Sequence, residues 1–257
     1  MPRTPSRPCG WCAGCCSDES GVRPLLKWGP ADIAINSDEV LRYLGYKPGK
    51  RISSRVERML EREIEAAYRL IVPRGYFCTV DAPALPSIRL FQDAEKVAFG
   101  VATIGSRLER KVNALFQQGE AARGVLLDAV GSVAAEAVTD LVNREVNRYA
   151  SGLGFKTTRR FSPGYGPWHV DGQHLVFQYL GKAAGRIGIT LTSSNLMIPL
   201  KSVSFAVKMG RGKMEEINLG RCASCSMAER CPFRHDRRLC TKAAFSDSSG
   251  RNAAVRR

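Results

Sequence analysis

Apolar residues recur at spacings of three and four through most of the first half of the chain. Val40, Leu41 and Leu44 fit a short helix that begins near Asp38 and is stopped at Gly45. Ser54-Arg55-Val56-Glu57 reads as a capping box. It opens a helix carrying Val56, Met59, Leu60, Ile64, Ala67, Leu70 and Ile71, which Pro73 ends. Three extended segments follow at Tyr76–Val80, Ile88–Phe91 and Val97–Ile104, the last almost wholly apolar and suited to a central strand. A second capping box, Ser106-Arg107-Leu108-Glu109, predicts a helix with Leu108, Val112, Leu115 and Phe116 inward. A long helix runs from about Ala121 to Tyr149, with Leu126, Val130, Val133, Ala137, Leu141 and Val142 on its buried side, and stops at Gly152 and Gly154. Asp171 can cap a helix through Leu175, Val176, Tyr179 and Leu180, closed by Gly181. Ile187, Ile189 and Leu191 alternate with small and polar residues, as do Val203, Phe205 and Val207. That period of two, on both sides of Pro199, predicts neighbouring strands with one buried face.

Helices and strands mix without a regular βαβ alternation. The reading is α+β: a single domain with a mostly antiparallel twisted sheet and long helices, plus cysteine-rich terminal segments. It divides into a Cys/Pro-rich N-terminal tail (1–30), a folded domain (31–215), a cysteine cluster (216–240) and a disordered basic tail (241–257).

Composition narrows the class. An apolar fraction of 44% and a charged fraction of 25% suit a globular protein. Arg123, Asp128 and Glu136 interrupt the longest helix, which excludes it as a membrane span. Pro2, Pro5 and Pro8 break the apolar stretch an export signal needs, so a cytoplasmic location is expected. The formal charge of +15 raises the question of nucleic acid. Lys and Arg are spread along the chain and not gathered in a block, which favours a solvated basic surface. A patch for an acidic electron carrier such as flavodoxin or ferredoxin is the next reading. A metal- or cluster-stapled basic protein that binds nucleic acid or another partner stays open as the alternative.

Nine cysteines in a reducing compartment read first as metal ligands or redox groups. Cys222-x2-Cys225-x5-Cys231, with Cys240 nine positions later, sets four thiolates within twenty residues. Zinc sites usually use a second Cys-x2-Cys pair, missing here, whereas a [4Fe–4S] cluster accepts irregular spacing. Cys9-x2-Cys12-x2-Cys15, followed by Cys16, has ferredoxin-like spacing that lacks a fourth ligand, which Cys231-Pro232 could supply. Cys78 falls in a predicted strand and reads as a buried thiol.

Arg160-Phe161-Ser162-Pro163-Gly164-Tyr165 is, by itself, an arginine followed by a turn: Pro163 fixes one dihedral and Gly164 permits positive φ. The segment resembles the Arg-x-x-Pro-Gly-Tyr motif of the activation domain of vitamin B12-dependent methionine synthase. In the same order, Ala135-Glu136-Ala137 is similar to the family's Ala-Glu-Ala helix, and Leu191-Thr192-x-Ser194-x-x-Met197-x-Pro199 with Ser202-Val203-Ser204 to its Leu-Thr-x-Ser segment and following strand. Glu39-Val40-Leu41-Arg42-Tyr43-Leu44-Gly45-Tyr46 is like free-standing relatives, so the resemblance spans about residues 38–210. Two positions depart: Gly154 stands where the family has an acidic residue six before the motif arginine, and Thr192-Ser193-Ser194 replaces Thr-Glu-Ser.

The resemblance implies an S-adenosylmethionine site formed by Glu136, Arg160, Pro163, Gly164 and Tyr165. The chemistry of these residues agrees: Arg160 offers a planar fork for a carboxylate, Glu136 a counter-charge for an ammonium or sulfonium, and Tyr165 a ring face and a hydroxyl. Trp168 and His169 carry no assigned role. The corrinoid modules of such systems present Asp-x-His-x-x-Gly, and none of His169, His174 and His235 has an Asp two positions earlier. The reading is therefore an activation component of a methionine synthase-type methyltransferase system in methionine biosynthesis. It would support reductive methylation of a cobalamin carried on a separate corrinoid-binding methyltransferase, by positioning the methyl donor and without a protein nucleophile or base. One low-potential electron reduces the cobalt in that chemistry, and an iron–sulfur cluster could deliver it.

Overall fold

The computed structural model describes residues 24–215, apart from 48, 50, 86–88 and 166. The cysteine sets at 9–16 and 222–240, and the two terminal tails, lie outside the described residues. In chain order the elements are β1 (Leu26–Lys27), α1 (Ser37–Tyr43), α2 (Ser54–Leu70), β2 (Arg74–Asp81), β3 (Lys96–Thr103), α3 (Arg107–Gln117), α4 (Ala121–Gly152), β4 (Lys156–Thr157), α5 (Gly172–Leu180), α6 (Lys182–Arg186), β5 (Thr190–Leu191), β6 (Met197–Ile198) and β7 (Ser202–Gly210). The expected α+β class is borne out, with a five-stranded antiparallel sheet in the order β1-β2-β3-β7-β4 and a separate β5–β6 hairpin.

The sheet is buried on both faces, and the strand period explains how. Phe77, Ala98, Ala102, Phe205, Val207 and Met209 point to the α4 side, where they join Leu127, Val130, Ala134, Val138 and Val142. Tyr76, Cys78, Val80, Val97, Phe99, Val101 and Ala206 point the other way, onto Val176 and Leu180 of α5 and Ala183 and Ala184 of α6. Cys78 is fully buried there, as expected. The sequence expectation of one buried face is corrected by this second layer of helices. Where β3 crosses β7, Gly100 lies opposite Phe205, and a Cβ at position 100 would fall 2.3 Å from the Phe205 ring. Only glycine lets that ring lie flat on the strand.

α4 is the axis of the domain: 32 residues, about 48 Å at 1.5 Å per residue. It packs on the sheet with one side and on α1, α2 and α3 with others, which is why so much of it is small or apolar. Gly131 admits Leu108 of α3, whose Cδ2 would sit 2.6 Å from an added Cβ. No helix of the described residues is long and apolar enough to cross a membrane.

Several local expectations change. The cap of α2 is Ser53, whose hydroxyl accepts the Val56 N–H, and not Ser54. The box before α3 does not close: the Ser106 hydroxyl faces the Arg110 guanidinium, and Glu109 accepts the backbone N–H of Leu200 at 3.1 Å. Asp171 precedes α5 but makes no side-chain cap bond. The segment expected as a strand at 88–91 is a 3-10 turn over Arg89–Phe91, which drops Phe91 among Phe99, Phe161 and Trp168. Ile187 and Ile189 do not lie in a long strand, because Gly188 is left-handed at φ +85° and only Thr190–Leu191 pairs, with Met197–Ile198.

Candidate functional site

Asp128, Ser132, Glu136 and Asp140 stand at every fourth position of α4 and so form one stripe along it. Two cations from other parts of the chain close on that stripe. Lys201, just before β7, places Nζ 2.8 Å from the Asp128 carboxylate and 2.9 Å from the Ser132 hydroxyl. Two turns further on, Arg160 Nη2 donates to Glu136 Oε2 at 2.7 Å and to Asp140 Oδ1 at 3.1 Å. The sequence-predicted pair Glu136 and Arg160 is therefore brought into direct contact. Asp140 had no place in the sequence reading, although its spacing of four from Glu136 carried the signal.

The backbone fixes Arg160 from behind. β4 runs antiparallel to the end of β7, and the next residue after Arg160, Phe161, exchanges both backbone hydrogen bonds with Ala206, at 3.0 and 2.7 Å. Phe161 then plugs into Phe91 and Trp168, so the arginine is held between a strand and an aromatic anchor. Trp168, given no role from sequence, is part of that anchor. The Arg160 side chain is 18% exposed against 41% for Glu136 and 52% for Asp140. Burial lowers the Arg160 pKa, but the two carboxylates outweigh it and hold the group above its ordinary value, firmly charged. Both pairs use the same nitrogen, which leaves Nε and Nη1 without a partner among the described residues.

Ser162-Pro163-Gly164-Tyr165 forms the expected turn, closed by the Tyr165 N–H on the Ser162 carbonyl at 3.3 Å, with Gly164 at φ +89°. Pro163 is buried, and Tyr165 projects into solvent at 65% exposure. Tyr43, at the end of α1, borders the same cluster. Its phenol is pushed up from the ordinary value by burial, then by the negative charge of Glu136, with Tyr165 and Glu39 adding and Arg42 opposing. The Leu191–Ser194 segment is tied elsewhere: it lies in the β5–β6 hairpin, anchored to Asp171 by Asn195 at 2.8 Å. Gly154 sits in a left-handed turn behind α4. His169 is an exposed loop residue 3.0 Å from Asp171. Among the described residues no group of three or more His, Cys, Asp or Glu could hold a metal; Cys222, Cys225, Cys231 and Cys240 lie outside them.

No family model matches the sequence, and no curated protein matches it. Among solved structures it is similar to the crystal structure of the MetH reactivation domain bound to AdoHcy, with a TM-score of 0.56 and 14% identity. The match covers 76% of this chain and 80% of that one. The chain has the fold of the MetH reactivation domain. The resemblance read from Arg160–Tyr165, Ala135–Ala137 and Leu191–Ser204 is thus borne out for the fold. Within this fold Arg160 pairs with Glu136 and Asp140 and leads along the chain into the Pro-Gly-Tyr turn, and the Tyr43 phenol feels the charge of Glu136.

Proposed function

We propose that the chain binds S-adenosylmethionine at the Arg160 cluster and presents its methyl group to a cobalamin held by a separate corrinoid-binding methyltransferase, restoring that enzyme to activity. The observation that carries this reading is the Arg160–Glu136–Asp140 triad beside the turn. One guanidinium and two carboxylates sum to a charge of −1. S-adenosylmethionine, with a carboxylate, an ammonium and a sulfonium, carries +1. The free Arg160 nitrogens are donors for the carboxylate, and Glu136 and Asp140 are counter-charges for the ammonium and the sulfonium. The turn brings backbone without a Cβ at Gly164, so a ligand can come close. Tyr165 and Tyr43 add ring faces suited to a cation or to a flat heterocycle. The neighbouring fold's AdoHcy is the demethylated form of the same ligand.

The methyl group of a sulfonium leaves without its bonding electrons, which stay on sulfur, and the acceptor supplies the new pair. No proton moves, so the chain needs neither a general base nor a nucleophile; its residues bind, orient and balance charge. The electron that prepares the acceptor comes from a carrier protein of flavodoxin or ferredoxin type.

Calorimetric titration of the full chain with S-adenosylmethionine tests the site. Saturable one-to-one binding is expected, weakened at least tenfold by Arg160→Ala and not rescued by Arg160→Lys, which lacks the planar fork. An affinity unchanged by Arg160→Ala would remove the assignment.

A further inference from the structure

The same edge of the sheet that delivers Arg160 carries a second feature, four residues back along the chain. β4 and the segment after β7 border an open depression whose lining includes Lys156, Thr157, Thr158, Arg211, Gly212 and Lys213. Its charges divide into compensated and uncompensated. Arg211 is already paired, with Nη1 on Glu95 at 3.1 Å, Nη2 on the Leu153 carbonyl at 3.4 Å, and Cζ 4.6 Å from the Phe155 ring centre. The deeper cation, Lys208, is buried against both oxygens of Asp93, at 2.6 and 2.8 Å. Lys156 and Lys213 have no ion-pair partner among the described residues. The Thr158 hydroxyl is spent on the Arg159 carbonyl and the Lys208 N–H, but that of Thr157 has no partner among the described residues.

Two uncompensated positive charges, a paired guanidinium and a hydroxyl without a partner among the described residues therefore line one open depression. A single carboxylate would balance half of that charge. We propose that this depression is a binding site for a phosphate dianion, either free or as the end of a phosphomonoester, which carries about −1.5 to −2 at neutral pH and three strong acceptor oxygens. Lys156 and Lys213 supply the charge, Thr157 a hydroxyl donor, and Arg211 a guanidinium wall already paired with Glu95. The site is separate from the Arg160 cluster: four residues of extended chain place Lys156 about 13 Å from Arg160.

The test is calorimetric titration of the full chain, in chloride buffer at constant ionic strength, with inorganic phosphate and separately with glycerol 3-phosphate. Saturable one-site binding of at least one probe is expected, weakened at least tenfold in the Lys156→Ala, Lys213→Ala double variant and unchanged in Arg160→Ala. Tighter binding of the ester assigns the esterified group; tighter binding of phosphate assigns the free anion. No saturable heat with either probe, or equal affinity in the double variant, overturns the site. Both lysine side chains are at the surface, so the double variant keeps its fold. S-adenosylmethionine binding is read out independently on the same samples.

Discussion

Arg160 meets Glu136 and Asp140 through one nitrogen, and the sum of the three charges decides which ligand the cluster prefers. Asp140→Asn keeps the shape and a hydrogen-bonding oxygen but makes the cluster neutral. A unit charge some 7 Å away in a medium of effective dielectric near 40 is worth about 1 kcal/mol. The variant should therefore lose roughly five- to tenfold in affinity for S-adenosylmethionine and much less for S-adenosylhomocysteine, which has no sulfonium and no net charge. Paired titrations with the two ligands measure the ratio; equal losses for both would show that the carboxylate acts on something other than the sulfonium. At this scale Arg160, Glu136 and the Pro-Gly-Tyr turn were legible in the sequence because each sits in a short motif. Asp140 and Tyr43 were not, since their place depends on how α4 faces the sheet edge and α1.

Between elements, the buried ammonium of Lys208 on β7 is the most demanding group. It is 3% exposed, and Asp93, in the turn before β3, is its ion-pair partner. Burial raises the Asp93 pKa, but the Lys208 hydrogen bond, the Glu215 N–H and the Lys208 charge outweigh it and hold the group below the ordinary carboxylate value. A lowered folded-state pKa means that this contribution to stability is present above the unfolded carboxylate range and is lost as pH falls through the lower folded value. Removing the acid alone leaves an uncompensated buried charge, so Asp93→Ala should cost about 3–5 kcal/mol in urea unfolding at neutral pH, whereas replacing the whole pair, in the Asp93→Ala, Lys208→Met double variant, should cost much less. An Asp93→Ala variant as stable as the parent would mean that Lys208 reaches water. Elements with a strong apolar signature were readable beforehand: the run Val97–Ile104 gave the central strand because both its faces are covered. The elements that went astray did so for local reasons. Gly188 is left-handed and ends the alternation at Ile189, and Glu109 is taken by the Leu200 N–H instead of capping its own helix.

At the scale of the whole molecule, the Arg160 cluster belongs to a domain with its own two-sided core, while eight of the nine cysteines lie outside the described residues. We propose that the Arg160 cluster and the cysteine set act independently. On the proposal that Cys222, Cys225, Cys231 and Cys240 ligate a metal, the full chain prepared without oxygen should hold it stoichiometrically. Iron with sulfide and a brown colour would mark a cluster; zinc without colour would mark a structural site. In that reading Cys225→Ser should remove the metal and leave the S-adenosylmethionine affinity where it was; an affinity lost together with the metal would tie the two sites together. The partner separates in the same way. In the proposed reaction the cobalamin arrives on another protein. Mixing the chain with a corrinoid methyltransferase, a low-potential reductant and methyl-labelled S-adenosylmethionine should move label to the corrinoid. Arg160→Ala should block that transfer while the two proteins still co-migrate in gel filtration, since the substitution empties the donor site and leaves the rest of the surface intact. Label transfer at the parent rate by Arg160→Ala would place the methyl donor elsewhere on the fold.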